Sequence, residues 1–329
     1  MSWVDLNKDG WLDLVVSGYN QNAKTDIYLN NQGVSFEPST DSWGLPNAYN
    51  SVMSWGDLDN DGDIDLAFSG LDENDNMFHT GYLRVDGENK FIPTLIGYFS
   101  AINGDHAIVD FDQDSDNDVI FSGEYGNEIR SQIKLNSFIS PSDPRYEDIP
   151  LKYSRDIEEN IPVALTNSSI TTYFNQKNKE LSYILMGRDS NDELKVVVRS
   201  VGEFDRKEDT PTIALENGDV AVGDLNNDGF NDFLYTGEDS DGSSITKLFF
   251  TTSNEFYESD YEFAGLREST AEFVDYDSDG DLDILLTGFG ENGAQTILYK
   301  VNLNSKVNNP PSDVENLTVT DLGYGNVRL

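Results

Sequence analysis

Cysteine is missing from the 329-residue chain, which removes disulfides, thiolate metal sites and cysteine nucleophiles together. Histidine is nearly missing. His79 and His106 are the two present, and they leave little room for imidazole chemistry. Basic residues are scarce: Lys and Arg total 21 against 61 Asp and Glu, a formal charge of −40. Such a surface repels polyphosphate and anionic lipid, which excludes a nucleic-acid partner held on a basic face. No run reaches the roughly 18 apolar residues of a membrane-spanning helix, so no membrane insertion is expected. Aromatics, in contrast, make up 12% of the chain, with 18 Phe and 16 Tyr. An acidic disordered segment lacks such residues, so this chain is expected to fold around a core.

The chain repeats itself. Aspartate-rich nonapeptides start at Asp5, Asp57, Asp110, Asp224 and Asp275, and each runs into an apolar stretch that closes on a glycine. Those glycines, Gly18, Gly70, Gly123, Gly237 and Gly288, lie 52, 53, 114 and 51 residues apart. The long interval is about twice the others and holds a lapsed copy, Phe174 to Gly187, which keeps the Tyr-Ile-Leu-Met-Gly ending without the aspartates. Six units therefore start near residues 2, 51, 105, 161, 218 and 270. Their apolar runs (LVVSG, LAFSG, VIFSG, ILLTG) are short, β-branched and bounded by loop residues, which suits strands buried on both faces. A shorter segment precedes each, and a third and usually a fourth strand follow. Four antiparallel strands at a period near fifty residues predict an all-β fold, a β-propeller with six four-stranded blades, or seven with one more upstream.

The loop pattern is D-x-[DN]-x-D-[GS]-x-x-D. A hard cation such as Ca²⁺ takes six to eight oxygens, and alternate short carboxylates of a tight loop can converge on one point. Positions one, three, five and nine offer side chains, and position seven offers its carbonyl. Loop one thus offers Asp5, Asn7, Asp9, Trp11 and Asp13, and loop two offers Asp57, Asp59, Asp61, Asp63 and Asp65. Loop three offers Asp110, Asp112, Asp114, Asp116 and Asp118, with Ser115 where the others have glycine. Loop five offers Asp224, Asn226, Asp228, Phe230 and Asp232, and loop six offers Asp275, Asp277, Asp279, Asp281 and Asp283. An EF-hand needs a glutamate at position twelve. Here that position holds Val16, Phe68, Phe121, Tyr235 and Leu286, so that reading fails. About five Ca²⁺ are expected, with none in the fourth unit and site three the weakest. The loops account for part of the acidity and not all of it.

The acidic loop, followed by an apolar strand ending in Ser/Thr-Gly within a unit of about fifty residues, resembles the FG-GAP/VCBS repeats of integrin α-like propellers. The resemblance covers about nine-tenths of the chain. It implies a calcium-stabilised propeller used in adhesion or ligand binding, with a protein or glycan partner. Departures from it are Ser115 and the fourth unit, whose Gln176, Asn178 and Lys179 make no such site.

Met1-Ser-Trp3 aligns with Met53-Ser-Trp55, and the sixth unit has no clear fourth strand before Asn308. The sequence is therefore expected to be a piece of a longer exported protein, its signal peptide upstream, with an open and less soluble edge. Residues 308–313 read as a linker, and 314–329 resemble the start of a fibronectin type III domain. No acid, base or nucleophile converges convincingly. A non-catalytic extracellular binding module is expected, with the propeller of a secreted polysaccharide-degrading enzyme or a structural spacer as alternatives. Trp43, Tyr19, Tyr49 and Tyr125 are candidates for stacking on sugars from exposed loops. His106 is placed near a first strand where it can face a central channel.

Overall fold

The computed structural model describes residues 2–32, 34–85, 87–94, 102–111, 115–125, 128–136, 153–156, 161, 163–177, 179–200, 210–253, 255–275, 280–291, 293–301, 320–323 and 326–328. Every element among them is a strand. Sheet one contains β1 (Ser2–Val4), β2 (Asp13–Asn20), β3 (Asn22–Asn31) and β4 (Ser35–Pro38). Sheet two contains β5 (Tyr49–Gly56), β6 (Asp65–Leu71), β7 (Met77–Arg84) and β8 (Phe91–Thr94). Sheet three contains β9 (Ile102–Val109), β10 (Asp118–Tyr125), β11 (Glu128–Asn136) and β12 (Tyr153–Asp156). In sheet four the described strands are β13 (Thr166–Asn175), β14 (Glu180–Arg188) and β15 (Leu194–Ser200). Sheet five contains β16 (Glu216–Gly223), β17 (Asp232–Glu238), β18 (Ser244–Thr251) and β19 (Phe256–Glu258). Sheet six contains β20 (Arg267–Val274), β21 (Asp283–Gly290) and β22 (Gly293–Tyr299), and a separate hairpin joins β23 (Thr320–Gly323) to β24 (Asn326–Arg328).

Each sheet is an antiparallel meander in chain order, which is the up-and-down blade of a β-propeller. Among the described residues, sheets four and six hold three strands, which for sheet six agrees with its lack of a clear fourth strand in the sequence. One expectation needs correction. The first strand of a unit is not short. β5, β9, β16 and β20 each run eight residues, because the strand continues through a bulge that breaks its apolar pattern. The 308–313 linker lies outside the described residues.

The core is distributed between sheets. The second strands β6, β10, β14 and β17 are buried along nearly their whole length, as two-sided packing requires. Among the described residues five apolar clusters result, each spanning one pair of consecutive sheets. Leu58, Ala67 and Leu83 meet Val119 and Phe121 between sheets two and three, for example. Tyr173, Ile184 and Met186 meet Val220, Phe233 and Tyr235 between sheets four and five. Fully burying a side chain such as Phe121 contributes about 1.5–3 kcal/mol, so each sheet is held mainly by its neighbours.

The closing glycines have a steric cause. In sheets two to six the first strand bulges at a residue with positive φ: Asn50 (42°), Asn103 (49°), Asn167 (48°), Asn217 (52°) and Glu268 (46°). The bulge presses the backbone against the second strand. A Cβ on Gly237 would lie 2.7 Å from the Glu216 carbonyl oxygen, and Gly237 itself has φ 145°. In three sheets the hydroxyl residue before the glycine (Ser17, Ser122, Thr236) then hydrogen-bonds towards the next sheet. Ser122 Oγ donates to the Leu165 carbonyl (2.8 Å), and the Thr236 and Ser269 hydroxyls meet at 3.0 Å.

Candidate metal centres

The acidic loops join the first strand of each sheet to the second and are folded by their own aspartates. The position-one carboxylate accepts the backbone N–H groups of positions five and six. Asp57 takes Asp61 N at 3.2 Å and Gly62 N at 3.0 Å, and Asp224 takes Asp228 N at 2.8 Å and Gly229 N at 2.7 Å. Asp5 does the same with Asp9 N and Gly10 N. Asp110 and Asp275 each accept the position-six N–H at 3.1 Å. The position-five carboxylate accepts the position-seven N–H, as in Asp61 with Asp63 N at 2.8 Å. Glycine at position six takes φ near 90°, as at Gly62 (88°) and Gly229 (92°), and Ser115 is forced to 77°. Position four is left-handed too, a feature the pattern concealed: Lys8 is at 59°, Asn60 at 58° and Asn227 at 56°.

Position nine carries a second role. Asp13, Asp65, Asp118, Asp232 and Asp283 are each fully buried at the start of a second strand. Asp65 Oδ2 accepts Leu58 N and its Oδ1 accepts Arg84 N, both at 2.8 Å. The pattern recurs in Asp118 with Phe111 N and Asn136 N (2.7 Å each), and in Asp232 with Leu225 N and Thr251 N. Each such carboxylate therefore ties the loop to the end of the third strand.

In loop two the carboxylate oxygens of Asp57, Asp59 and Asp61 lie within 4.8 Å of one another. Asp59 is 8% exposed, and its Oδ1 has no hydrogen-bond partner. Burial first, then the charges of Asp61 and Asp57, push its carboxyl up to about 6. Burial raises Asp65 to about 8, against the lowering effect of its two backbone donors, and raises Asp232 to about 7. Asp13 and Asp57 are raised for the same first reason. A set of hard oxygens that resists carrying its charge fits a divalent cation, which reverses that penalty. Asp112, Asp114, Asp277 and Asp279 lie outside the described residues.

A second feature is a cavity of about 640 Å³ lined by residues of β1, β5, β9, β13, β16 and β20. Glu272 in its lining is pushed up to about 6, by burial first and then by the Asp219 charge, with the Trp3 side chain hydrogen-bonding to it. Asp105 accepts His106 N and Ile170 N (2.8 Å each), and burial raises its carboxyl to about 8. Asp219 accepts Ser169 Oγ at 2.9 Å and is also raised by burial. His106 does reach this wall, but it is 2% exposed and its Nδ1 lies 2.8 Å from Ser54 Oγ. Burial lowers its pKa to about 3.

The proposed sugar-stacking residues separate. Trp43 is not an exposed loop residue. It is 3% exposed, stacks near Phe91 and lies under the Arg84 guanidinium at 5.9 Å. Tyr19 is exposed and packs on half-buried Tyr49 at 5.1 Å, and the Tyr125 side chain lies outside the described residues.

Fold and loops together define a β-propeller whose blades carry acidic, oxygen-rich turns. Residues 5–68, which contain loops one and two, match the model of the FG-GAP-like repeat family. No curated protein matches the chain. Solved structures similar to it include YjhT, at 10% identity over 89% of this chain and 95% of that one, TM-score 0.45. Others are RAG in complex with one melted and one unmelted RSS (8% identity, 92% and 95% covered, TM-score 0.44) and an Aleuria aurantia lectin mutant in complex with alpha-methyl-L-fucoside (8% identity, 89% of each chain, TM-score 0.48).

Proposed function

We propose that this chain is a calcium-stabilised propeller that serves as a non-catalytic adhesion or ligand-binding module of an exported protein. The observation that carries the reading is loop two. Three carboxylates converge there, one of them buried with an unpartnered oxygen, in a fold where such loops recur sheet after sheet. Asp57, Asp59, Asp61 and Asp65, with the Asp63 carbonyl, hold the ion in loop two. Asp5, Asn7, Asp9, Asp13 and the Trp11 carbonyl do so in loop one, and Asp224, Asn226, Asp228, Asp232 and the Phe230 carbonyl in loop five. Loops three and six follow the same assignment. The bound ion supplies positive charge and no reaction step. Extracellular modules of this chemistry work at calcium levels of roughly 10⁻⁴–10⁻³ M, which suits an exported protein.

Thermal melting in millimolar CaCl₂ and in EDTA tests the metal assignment, with metal analysis of the dialysed protein for stoichiometry. A large excess of calcium raises stability by about 2.7 kcal/mol per site at a hundredfold over Kd. Equal melting temperatures in the two media would sink the assignment. A glycan array and turnover assays on acidic polysaccharides then separate a binding module from an enzyme or a spacer.

A further inference from the structure

Resting on the calcium reading above, we propose that loops two and three fill as a coupled pair, joined by Asn60, Asn117 and Asn136, rather than as independent sites. Three side-chain amides cross between these loops. Asn60 Nδ2, at position four of loop two, donates to the Ser115 carbonyl at the bend of loop three (3.2 Å). Asn117 Nδ2, at position eight of loop three, donates back to the Asp57 carbonyl at the start of loop two (2.7 Å). Asn136 completes a buried line. Its backbone N–H serves Asp118 of loop three (2.7 Å), and its side chain donates to the Leu58 carbonyl (2.9 Å). Leu58 N in turn serves Asp65 of loop two. The position-nine aspartates of the two loops are thus joined through the backbone of Leu58 and through Asn136.

These contacts act on the backbone that holds the ligands. Asn60 stands between Asp59 and Asp61 in a left-handed conformation, and Ser115 is in a left-handed conformation that glycine would adopt freely. Whatever fixes Asp59 and Asp61 fixes Asn60, and so holds the Ser115 carbonyl and the bend of loop three. The coupling is reciprocal, as any binding linkage must be. The contacts do not depend on metal, because the aspartate-free loop of sheet four makes the same kind. Asn231 Nδ2, at position eight of loop five, donates to the Phe174 carbonyl at 2.7 Å, and Gln176 Nε2 donates to Asn231 Oδ1 at 2.8 Å.

The test is calcium titration of the full chain by calorimetry, with CaCl₂ alone as ligand. Four proteins are compared: the parent, Asp59→Ala, Asn60→Gly with Asn117→Ala, and all three substitutions together. Asp59→Ala, which leaves no side-chain oxygen at position three, is expected in the parent to remove one site and weaken a second at least about fivefold, the lower end of usual coupling. With the amides removed, Asp59→Ala should remove one site and leave the others unchanged. Loss of one site with no second effect in the parent overturns the coupling while leaving the calcium reading intact. Absence of binding in the parent overturns the calcium reading itself. Circular dichroism monitors folding, and Asn60→Gly alone, which preserves the left-handed backbone, replaces the double variant if that one unfolds.

Discussion

Replacing Asp59 by asparagine should change sign with calcium. Its carboxyl is 8% exposed and sits at about 6 in the folded chain against an ordinary value of 3.8. At about 1.4 kcal/mol for each pH unit of difference, ionising it in the folded protein costs roughly 2–3 kcal/mol relative to the unfolded chain. A folded pKa above the unfolded one means that stability is fully present below about pH 4 and is lost as pH rises through 6. A neutral amide of the same shape carries no such penalty. In EDTA at pH 7.5, Asp59→Asn is therefore expected to stabilise the protein by about 2 kcal/mol, and the gain should vanish at pH 4. In excess calcium the parent recovers the penalty and binds the ion more tightly than the variant, whose loop then has the position-three asparagine of loops one and five and one charge fewer, so the variant should become the less stable protein. Chemical denaturation at both pH values, with EDTA or CaCl₂, measures all four differences. A variant destabilised equally in EDTA and calcium would refute the argument, because Asp59 would then be an ordinary structural residue.

Asp65→Ala should destabilise in both media by about 3 kcal/mol or more, since it orphans Leu58 N and Arg84 N in a buried site; denaturation in EDTA checks this. Ser115→Gly should stabilise the protein by about 1 kcal/mol and tighten calcium at loop three, because φ 77° is strained for serine. Calorimetry showing a looser site would count against the loop geometry. Gly237→Ala should cost about 2 kcal/mol or more, as its Cβ meets the Glu216 carbonyl oxygen at 2.7 Å. Gly18→Ala meets nothing within 4 Å and should change the melting temperature little.

The repeat period, the strand runs and the acidic loops were legible because each is local. A two-sided strand must carry an unbroken apolar run, as β6 does at Leu66–Phe68 and β17 at Phe233–Tyr235, and a tight oxygen-rich turn must carry short acids at alternate positions. The closing glycine marked the repeat as clearly. Its reason, the bulged strand crossing at Glu216 and Gly218, involves residues about twenty positions away and only appears once the sheet is folded. The double duty of Asp65 was hidden for the same cause, since Arg84 N reaches it across two strands. Trp43 read as an exposed loop aromatic because loop composition says nothing of what packs above it. Phe91 and Arg84, from the next sheet, decide that. The contacts between loops lie furthest from view: Asn60 and Ser115 are 55 residues apart, as are Lys8 and Asp63, which pair across loops one and two. Propeller geometry sets each loop beside the next copy of itself. Chemistry that needs one loop is therefore written in nine residues, and chemistry that needs two is decided by the packing of whole sheets.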